Sequence, residues 1–307
     1  MAKVTISTFE LFEMFPDAET ARVYLEGRLW PAGPKCPVCG LGERITVRTG
    51  GFYRCNQCKE DFTVRTGTIF ERSHVPLNKW IYAMYLLVTA RKGISSMQLS
   101  KEIGITQKSA WFVLHRLREA CGPDLAKLRG IIEIDETYVG GKEANKHESK
   151  KLKAGRGAVG KTAVVAMRER GEGGRTVGMP IEDADKATVH KAVYEHVDAG
   201  SQLHTDDAAV YQGLGGLFFT HETVNHSAGE FVRDGVTTNS AESVFAILKR
   251  GLIGVYHHAS KKHIGRYVDE FAFRLSDGNC KRHTLRRLES FIAGTAGKRL
   301  TYKALTQ

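Results

Sequence analysis

No uncharged apolar stretch in this 307-residue chain reaches the roughly 20 residues of a membrane-spanning helix. The N-terminus, Met1 to Phe15, lacks the basic flank and apolar core of a secretory leader. Low-complexity tracts and internal repeats are missing as well, which argues against disordered and repeat classes. These absences predict a cytoplasmic protein with no membrane partner. Acidic residues are in deficit: 34 Asp+Glu face 45 Lys+Arg, a formal net charge of +11. Such an excess favours a polyanionic partner, nucleic acid before membrane surface. Hydrophobic residues make up 42%, enough for a buried core, and the length allows one large domain or two to three smaller ones. A nucleotide phosphate loop is excluded: Gly155-Arg156-Gly157-Ala158-Val159-Gly160-Lys161 has the wrong glycine spacing and no strand before it.

Cysteine is scarce, six residues in all, yet four of them are paired in sequence. Cys36 and Cys39 form one C-x2-C knuckle and Cys55 and Cys58 another, with 15 residues between. That spacing predicts a tetrahedral four-thiolate site for one structural zinc, with no coordination position left for catalysis. Arg44–Arg48 and Gly51–Arg54 suit the strands of a hairpin that brings the knuckles together. Metal binding would supply folding energy that so small a module lacks. Arg44, Arg48, Arg54 and Lys59 are either a DNA-facing surface or a solvated basic face. Cys121 and Cys280 stand alone as ordinary thiols.

The segment before the ribbon, residues 7–29, predicts one or two amphipathic helices interrupted at Pro16. After the ribbon, Trp80–Ala90 predicts an apolar helix that Gly93 ends. Ser95, with Gln98 three residues on, marks the start of a second helix whose apolar side holds Met97, Leu99 and Ile103. Gly104-Ile105 then turns the chain, and Thr106 caps a third helix, Gln107 to Ala120. Two short helices joined by a glycine turn behind a supporting helix form a helix-turn-helix pattern. Its third helix would present Gln107, Lys108 and Ser109 to DNA, with Arg116 and Arg118 further along.

From Ile131 the order is strand, strand, strand, helix, strand, helix, strand, helix, the order of a ribonuclease-H-like fold. There the first and fourth strands are neighbours. Asp135 closes the first apolar run and Asp206 closes Gln202-Leu203-His204-Thr205. Glu242 lies in a helix-like stretch and precedes Lys249 by seven residues, so the two share a helix face. Two carboxylates at strand ends and one on a helix can converge on two hard divalent cations that clamp the oxygens of a phosphodiester. Lys249 would hold backbone phosphate. Asp207 and Glu136 each neighbour a chosen ligand, but strand alternation disfavours both neighbours reaching one site.

Specific motifs then join these pieces. Ile134-Asp135-Glu136-Thr137-Tyr138-Val139-Gly140-Gly141-Lys142 is followed by His204-Thr205-Asp206 and Tyr211-Gln212-Gly213-Leu214. Next come Thr238-Asn239-Ser240-Ala241-Glu242, Leu248-Lys249-Arg250-Gly251, Tyr256-His257-His258, and Arg266 through Arg274. Together with the ribbon, this set resembles bacterial insertion-sequence transposases of the DDE type, in the zinc-ribbon group numbered fifteen ninety-five. The resemblance covers about residues 15–275. It implies Asp135, Asp206 and Glu242 as ligands of two Mg²⁺ ions, with Mn²⁺ as substitute. Asn239, one turn before Glu242, is the alternative or additional ligand, ranked second because an amide does not offset metal charge.

The resemblance also implies DNA as substrate, namely the terminal inverted repeats and the target duplex. It implies strand cleavage by hydrolysis, joining of 3′-hydroxyl ends by transesterification, and a homodimer or larger assembly in the bacterial nucleoid. Lys142, Lys150, Lys151, Lys153 and Arg156, in a basic insert between the first two strands, are expected to grip DNA. Lys249, Arg250, His257, His258 and Lys262 are expected along the path of the transposon end. The expected α/β multidomain architecture is an N-terminal helical segment at 1–30, a zinc ribbon at 31–66, a helix-turn-helix domain at 75–127, a ribonuclease-H-like catalytic domain with a mixed five-stranded sheet at 128–275, and a basic tail at 276–307. Two rivals remain: a structure-specific nuclease that cuts without joining, and a DNA-binding regulator with an inactive catalytic domain.

Overall fold

Caps set the first helices of the chain. In this computed structural model, which describes residues 5–122, 126–141, 143–145, 147–152, 158–216 and 220–307, Ser7 and Glu10 form a reciprocal capping box at α1 (Thr8–Met14). Asp17 accepts from the Thr20 N–H at 2.8 Å to start α2 (Ala18–Leu29) just after Pro16. Leu11, Phe15, Ala21 and Leu25 are buried, whereas Phe9 and Val23 face outward. The chain divides into two units, Met1–Gly122 with Asp277–Gln307, and Pro123–Ser276.

The ribbon in the first unit is a three-stranded antiparallel sheet, β1 (Ile45–Val47), β2 (Tyr53–Cys55) and β3 (Asp61–Phe62), in that order. The β1–β2 turn places Gly50 and Gly51 at φ of 68° and 75°, a region that favours glycine. Helices α3 (Leu77–Thr89), α4 (Ser96–Ile103) and α5 (Gln107–Ala120) follow. Ser95 caps α4 through the Gln98 N–H, Gly104 ends it in the left-handed region, and Thr106 caps α5. Leu99 and Ile103, four residues apart, are buried. Met97 is exposed, because two residues turn a helix by about 200° and carry the side chain to the far face.

Arg116 and Arg118 are a correction to the expected recognition surface, since both are buried. The Arg116 guanidinium donates to the carbonyls of Ile69, Glu71 and Leu300. The expected tail also differs. Its helices, Thr284–Ala293 and Tyr302–Thr306, belong to the first unit and bury Leu288, Phe291, Ile292 and Leu305.

The second unit is built on one mixed sheet. Strands β4 (Ile131–Val139), β5 (Thr162–Glu169), β6 (Thr176–Ile181), β7 (Gln202–Asp206) and β8 (Thr220–Val224) lie in the order β6-β5-β4-β7-β8. β4, β5 and β6 are antiparallel neighbours, while β7 and β8 run parallel to β4. Helix α6 (Lys186–His196) covers one face, with Val189 and Val193 packed among Ile132, Ile134, Val165 and Met167. Helices α7 (Asn239–Gly251) and α8 (Ile264–Leu275) cover the other, with Phe245, Leu248 and Val268 against Val164 and Ala166. Among the described residues no helix is long and apolar enough to cross a membrane.

Helix α8 approaches β6 where β6 has no side chain. A Cβ added at Gly178 would stand 2.7 Å from Val268 Cγ1. Gly178→Val is therefore expected to destabilise the protein by about 1–3 kcal/mol through overpacking. Urea unfolding checks this, and an unchanged midpoint would show that α8 can shift freely.

Candidate active site and metal centre

Strand alternation sorts the acids of β4. Ile132 and Ile134 join the α6-side core, so Glu133 and Asp135 point to the α7 side. Register agrees: Asp135 is opposite Ala166, which packs in the α7-side core, whereas Glu136 is opposite Val165 in the α6-side core. On β7, Leu203 lies in the α6-side core, so His204 and Asp206 take the same side as Asp135. Glu133 pairs directly with His204 in the parallel register, which sets Asp135 and Asp206 two residues further along neighbouring strands. The apolar run predicted Asp135 at a strand end, and the strand instead continues to Val139. Asp135 sits mid-strand, just past the point where β7 pairing stops. Asp206 does end its strand, and its Oδ1 accepts from the Ala208 N–H at 3.1 Å.

Glu242 lies in the first turn of α7, the helix over this face. Its Oε1 accepts from Thr238 Oγ1 at 3.2 Å and lies 3.8 Å from His226 Nε2. Thr238 and His226 are themselves 3.1 Å apart. Asn239 is exposed at the helix start, and Lys249 is exposed in the last turn. Asp207 is exposed.

Electrostatics mark Asp135 as the strained member. Burial raises its carboxyl to about 7, reinforced by the charges of Glu136, Asp206 and Glu242. A cation held among these oxygens would relieve that repulsion, and the donor set is the hard type that Mg²⁺ and Mn²⁺ take. The carboxylates are not gathered as tightly as the cysteines below.

Glu136 serves the opposite face. Its carboxylate accepts a hydrogen bond from the buried Tyr211 hydroxyl. Burial raises the pKa of both groups. Four residues escaped the sequence reading of this site: Glu133, Arg170, His226 and Thr238. Period-two alternation from Asp135 back to Glu133 was a usable signal. His226 lies in a single 3-10 turn, His226–Ala228, too short for a periodic pattern to reveal it.

In the ribbon the four cysteines do converge. Cys36 and Cys58 sulfurs are 3.5 Å apart, Cys39 and Cys55 3.7 Å, and all four lie within 4.8 Å of one another. A tetrahedron with zinc–sulfur bonds of about 2.3 Å requires sulfurs about 3.8 Å apart, so the quartet fits zinc. Among the described residues it is the one group of three or more such side chains drawn this close. The Cys58 backbone N–H, aided by that of Gln57, pulls the Cys55 thiol down to about 6. Burial and the neighbouring thiols push Cys58 the other way, to about 12, and raise Cys39, so the fit to zinc rests on the sulfur geometry.

The expected DNA contacts fall in several places. Gln107, Lys108 and Ser109 are exposed on the first turn of α5. Gln107 donates to Ser96 Oγ at 2.8 Å, and the Lys108 ammonium lies 4.9 Å from the centre of the Tyr302 ring. Arg250 is exposed in the last turn of α7, and His257, His258 and Lys262 are exposed beyond the π-helical segment that follows it, Leu252–Tyr256. Lys151 pairs with Glu148 at 2.7 Å. Lys142, Lys153, Arg156 and the side chain of Lys150 lie outside the described residues.

A mixed sheet with acids on one helix-covered face, in a chain that also carries a four-cysteine ribbon, is the arrangement that the resemblance to zinc-ribbon transposases of the DDE type implies. Comparison with known proteins agrees. Residues 127–276 match the ISXO2-like transposase domain, and residues 16–61 match the transposase zinc-ribbon domain. A protein of Halobacterium salinarum, described as an uncharacterized protein in transposable element ISH50, is 31% identical over 259 residues, covering 80% of this chain and 86% of that protein. The chain belongs to the ISXO2-like family of insertion-sequence transposases, and DNA is accordingly its substrate class.

Proposed function

We propose that this protein cleaves DNA strands at the terminal inverted repeats of an insertion sequence and joins the freed 3′-hydroxyl ends to target DNA. The observation that carries this reading is Asp135 and Asp206 on the α7-facing side of neighbouring strands with Glu242 in the first turn of α7, and Asp135 pushed up to about 7 by burial and then by its acidic neighbours. Two Mg²⁺ ions, or Mn²⁺ in their place, would there supply activation of the attacking oxygen and stabilisation of the leaving 3′-oxygen. Asp135, Asp206 and Glu242 would hold the ions, with Asn239, exposed one turn before Glu242, as the alternative or additional ligand. Lys249 neutralises backbone phosphate. The first turn of α5 reads the repeat, and the ribbon, closed by one structural zinc, contributes to the same recognition. Joining requires both ends to be held together, so the working form is a dimer or a larger assembly on DNA.

The test is strand transfer by the purified protein on the DNA ends that flank its gene, with Mg²⁺ and a target plasmid. Joined products are expected from the wild type, none from Glu242→Ala, and a reduced yield from Asn239→Ala. Nicking without joining would replace this reading with that of a nuclease. Specific binding without any cleavage in Mg²⁺ or Mn²⁺ would leave a regulator.

A further inference from the structure

Beneath the acidic face lies a carboxylate that the catalytic reading does not use. Glu133 is fully buried, two residues before Asp135 on the same side of β4. Its Oε2 accepts the backbone N–H groups of Ser240 at 2.6 Å and Ala241 at 3.3 Å, both in the first turn of α7. Its Oε1 accepts from Ser240 Oγ at 3.2 Å and from Arg170 Nε at 2.9 Å, with Arg170 Nη2 also at 2.9 Å. Arg170 in turn donates to the carbonyls of Gly235 at 2.6 Å and Thr237 at 3.3 Å, in the loop that leads into α7. One side chain thus ties the strand bearing Asp135 to the start of the helix bearing Glu242.

We infer that Glu133 is a positioning residue: its carboxylate caps α7 from the sheet and fixes the helix register that sets Glu242 against Asp135 and Asp206. This rests on the proposed metal-dependent function of those three acids. Two physical points support it. A buried ion pair is a poor device for stability alone, because well-packed apolar side chains of similar volume commonly serve as well or better. A carboxylate on the unsatisfied N–H groups of a helix start is, by contrast, specific about where the helix begins. The tolerance involved is small. A helix displaced by one residue moves about 1.5 Å, whereas metal–ligand distances hold to about 0.2 Å. Glu242 follows Ala241 directly, so an error at the cap is transmitted to it without attenuation.

Three full-length variants test this: Glu133→Gln, Glu133→Leu and Ser240→Ala. Leucine fills the buried space, and Arg170, itself part-exposed, can turn to solvent. The first readout is Mn²⁺ binding, measured as the cation-dependent rise in melting temperature. The second is the steady-state rate of cleavage at saturating DNA. Glu133→Gln and Glu133→Leu are expected to stay folded, to bind Mn²⁺ roughly 10- to 100-fold more weakly, and to cleave more slowly with KM for DNA unchanged. Ser240→Ala, which deletes one contact and uncovers no charge, is expected to move both readouts the same way by a smaller factor. Folded Glu133 variants that bind Mn²⁺ and cleave like the wild type would overturn the inference. If the Glu133 variants fail to fold, an unchanged Mn²⁺ affinity in Ser240→Ala would overturn it instead. Wild-type protein that neither binds Mn²⁺ nor cleaves would refute the functional reading first, and the inference with it.

Discussion

Asp135→Asn is expected to stabilise the metal-free protein at pH 8 while ending DNA cleavage. Asparagine keeps the oxygen that accepts the Glu136 N–H at 2.8 Å and removes the charge that burial and three neighbouring acids oppose. In the folded protein this carboxyl is raised from 3.8 to about 7, so the folded state holds its proton more tightly than the unfolded chain does. The stabilising contribution is complete below about pH 4, falls as pH rises, and is gone above about pH 7. Each unit of such a shift corresponds to about 1.4 kcal/mol, so the advantage of asparagine should widen by roughly 2.6 kcal/mol between pH 5 and pH 8. Divalent cations should reverse the order. Mg²⁺ or Mn²⁺ binding only the folded wild type would raise its melting temperature and leave the variant unmoved. Thermal unfolding at both pH values, with and without Mn²⁺, decides the matter. A gap between variant and wild type that stays constant with pH would show that Asp135 is not held against its charge.

Removing zinc is expected to unfold the ribbon. Its three strands contain 3, 3 and 2 residues, and its core is little more than Trp30, Tyr53 and Phe62 around buried Cys36 and Cys55. The Trp30 ring meets Tyr53 and Phe62 edge-on at 5.3 and 5.9 Å, and those two stack at 5.5 Å. A module of that size does not ordinarily fold on apolar burial alone. Structural zinc in small fingers is worth about 10–16 kcal/mol of apparent binding energy, far above what the aromatic cluster can replace. Chelation, or Cys55→Ser, should therefore release one zinc per chain and abolish the near-ultraviolet signal of the Trp30 cluster. Proteolysis should then cut between residues 36 and 58. A chelated protein whose ribbon resists protease would show that the aromatic core suffices.

The ribbon was legible because four cysteines at fixed spacing leave few geometric options. The caps of α4 and α5 were legible too, since Ser95 and Thr106 act on N–H groups only three residues away, whereas the Ser7 and Asp17 caps went unread. The strand and helix order of the second unit followed from local periodicity. Arg116 and Arg118 read as exposed cations because a helix pattern does not say what a neighbouring segment brings. The carbonyls that hold Arg116 come from residues 45 or more positions away. For the same reason the basic C-terminal stretch looked like a tail, although its apolar residues pack within the first unit.

Sequence alone determined the elements, the thiolate cluster and the candidate acids, because each depends on residue type and near-neighbour spacing. Only the tertiary structure decided that Asp135 lies mid-strand, that Glu136 turns away to Tyr211, and that Glu133 grips the start of α7 from 107 residues away. Those facts depend on strand register and helix placement. Both are set by long-range packing, which no local pattern in the chain encodes.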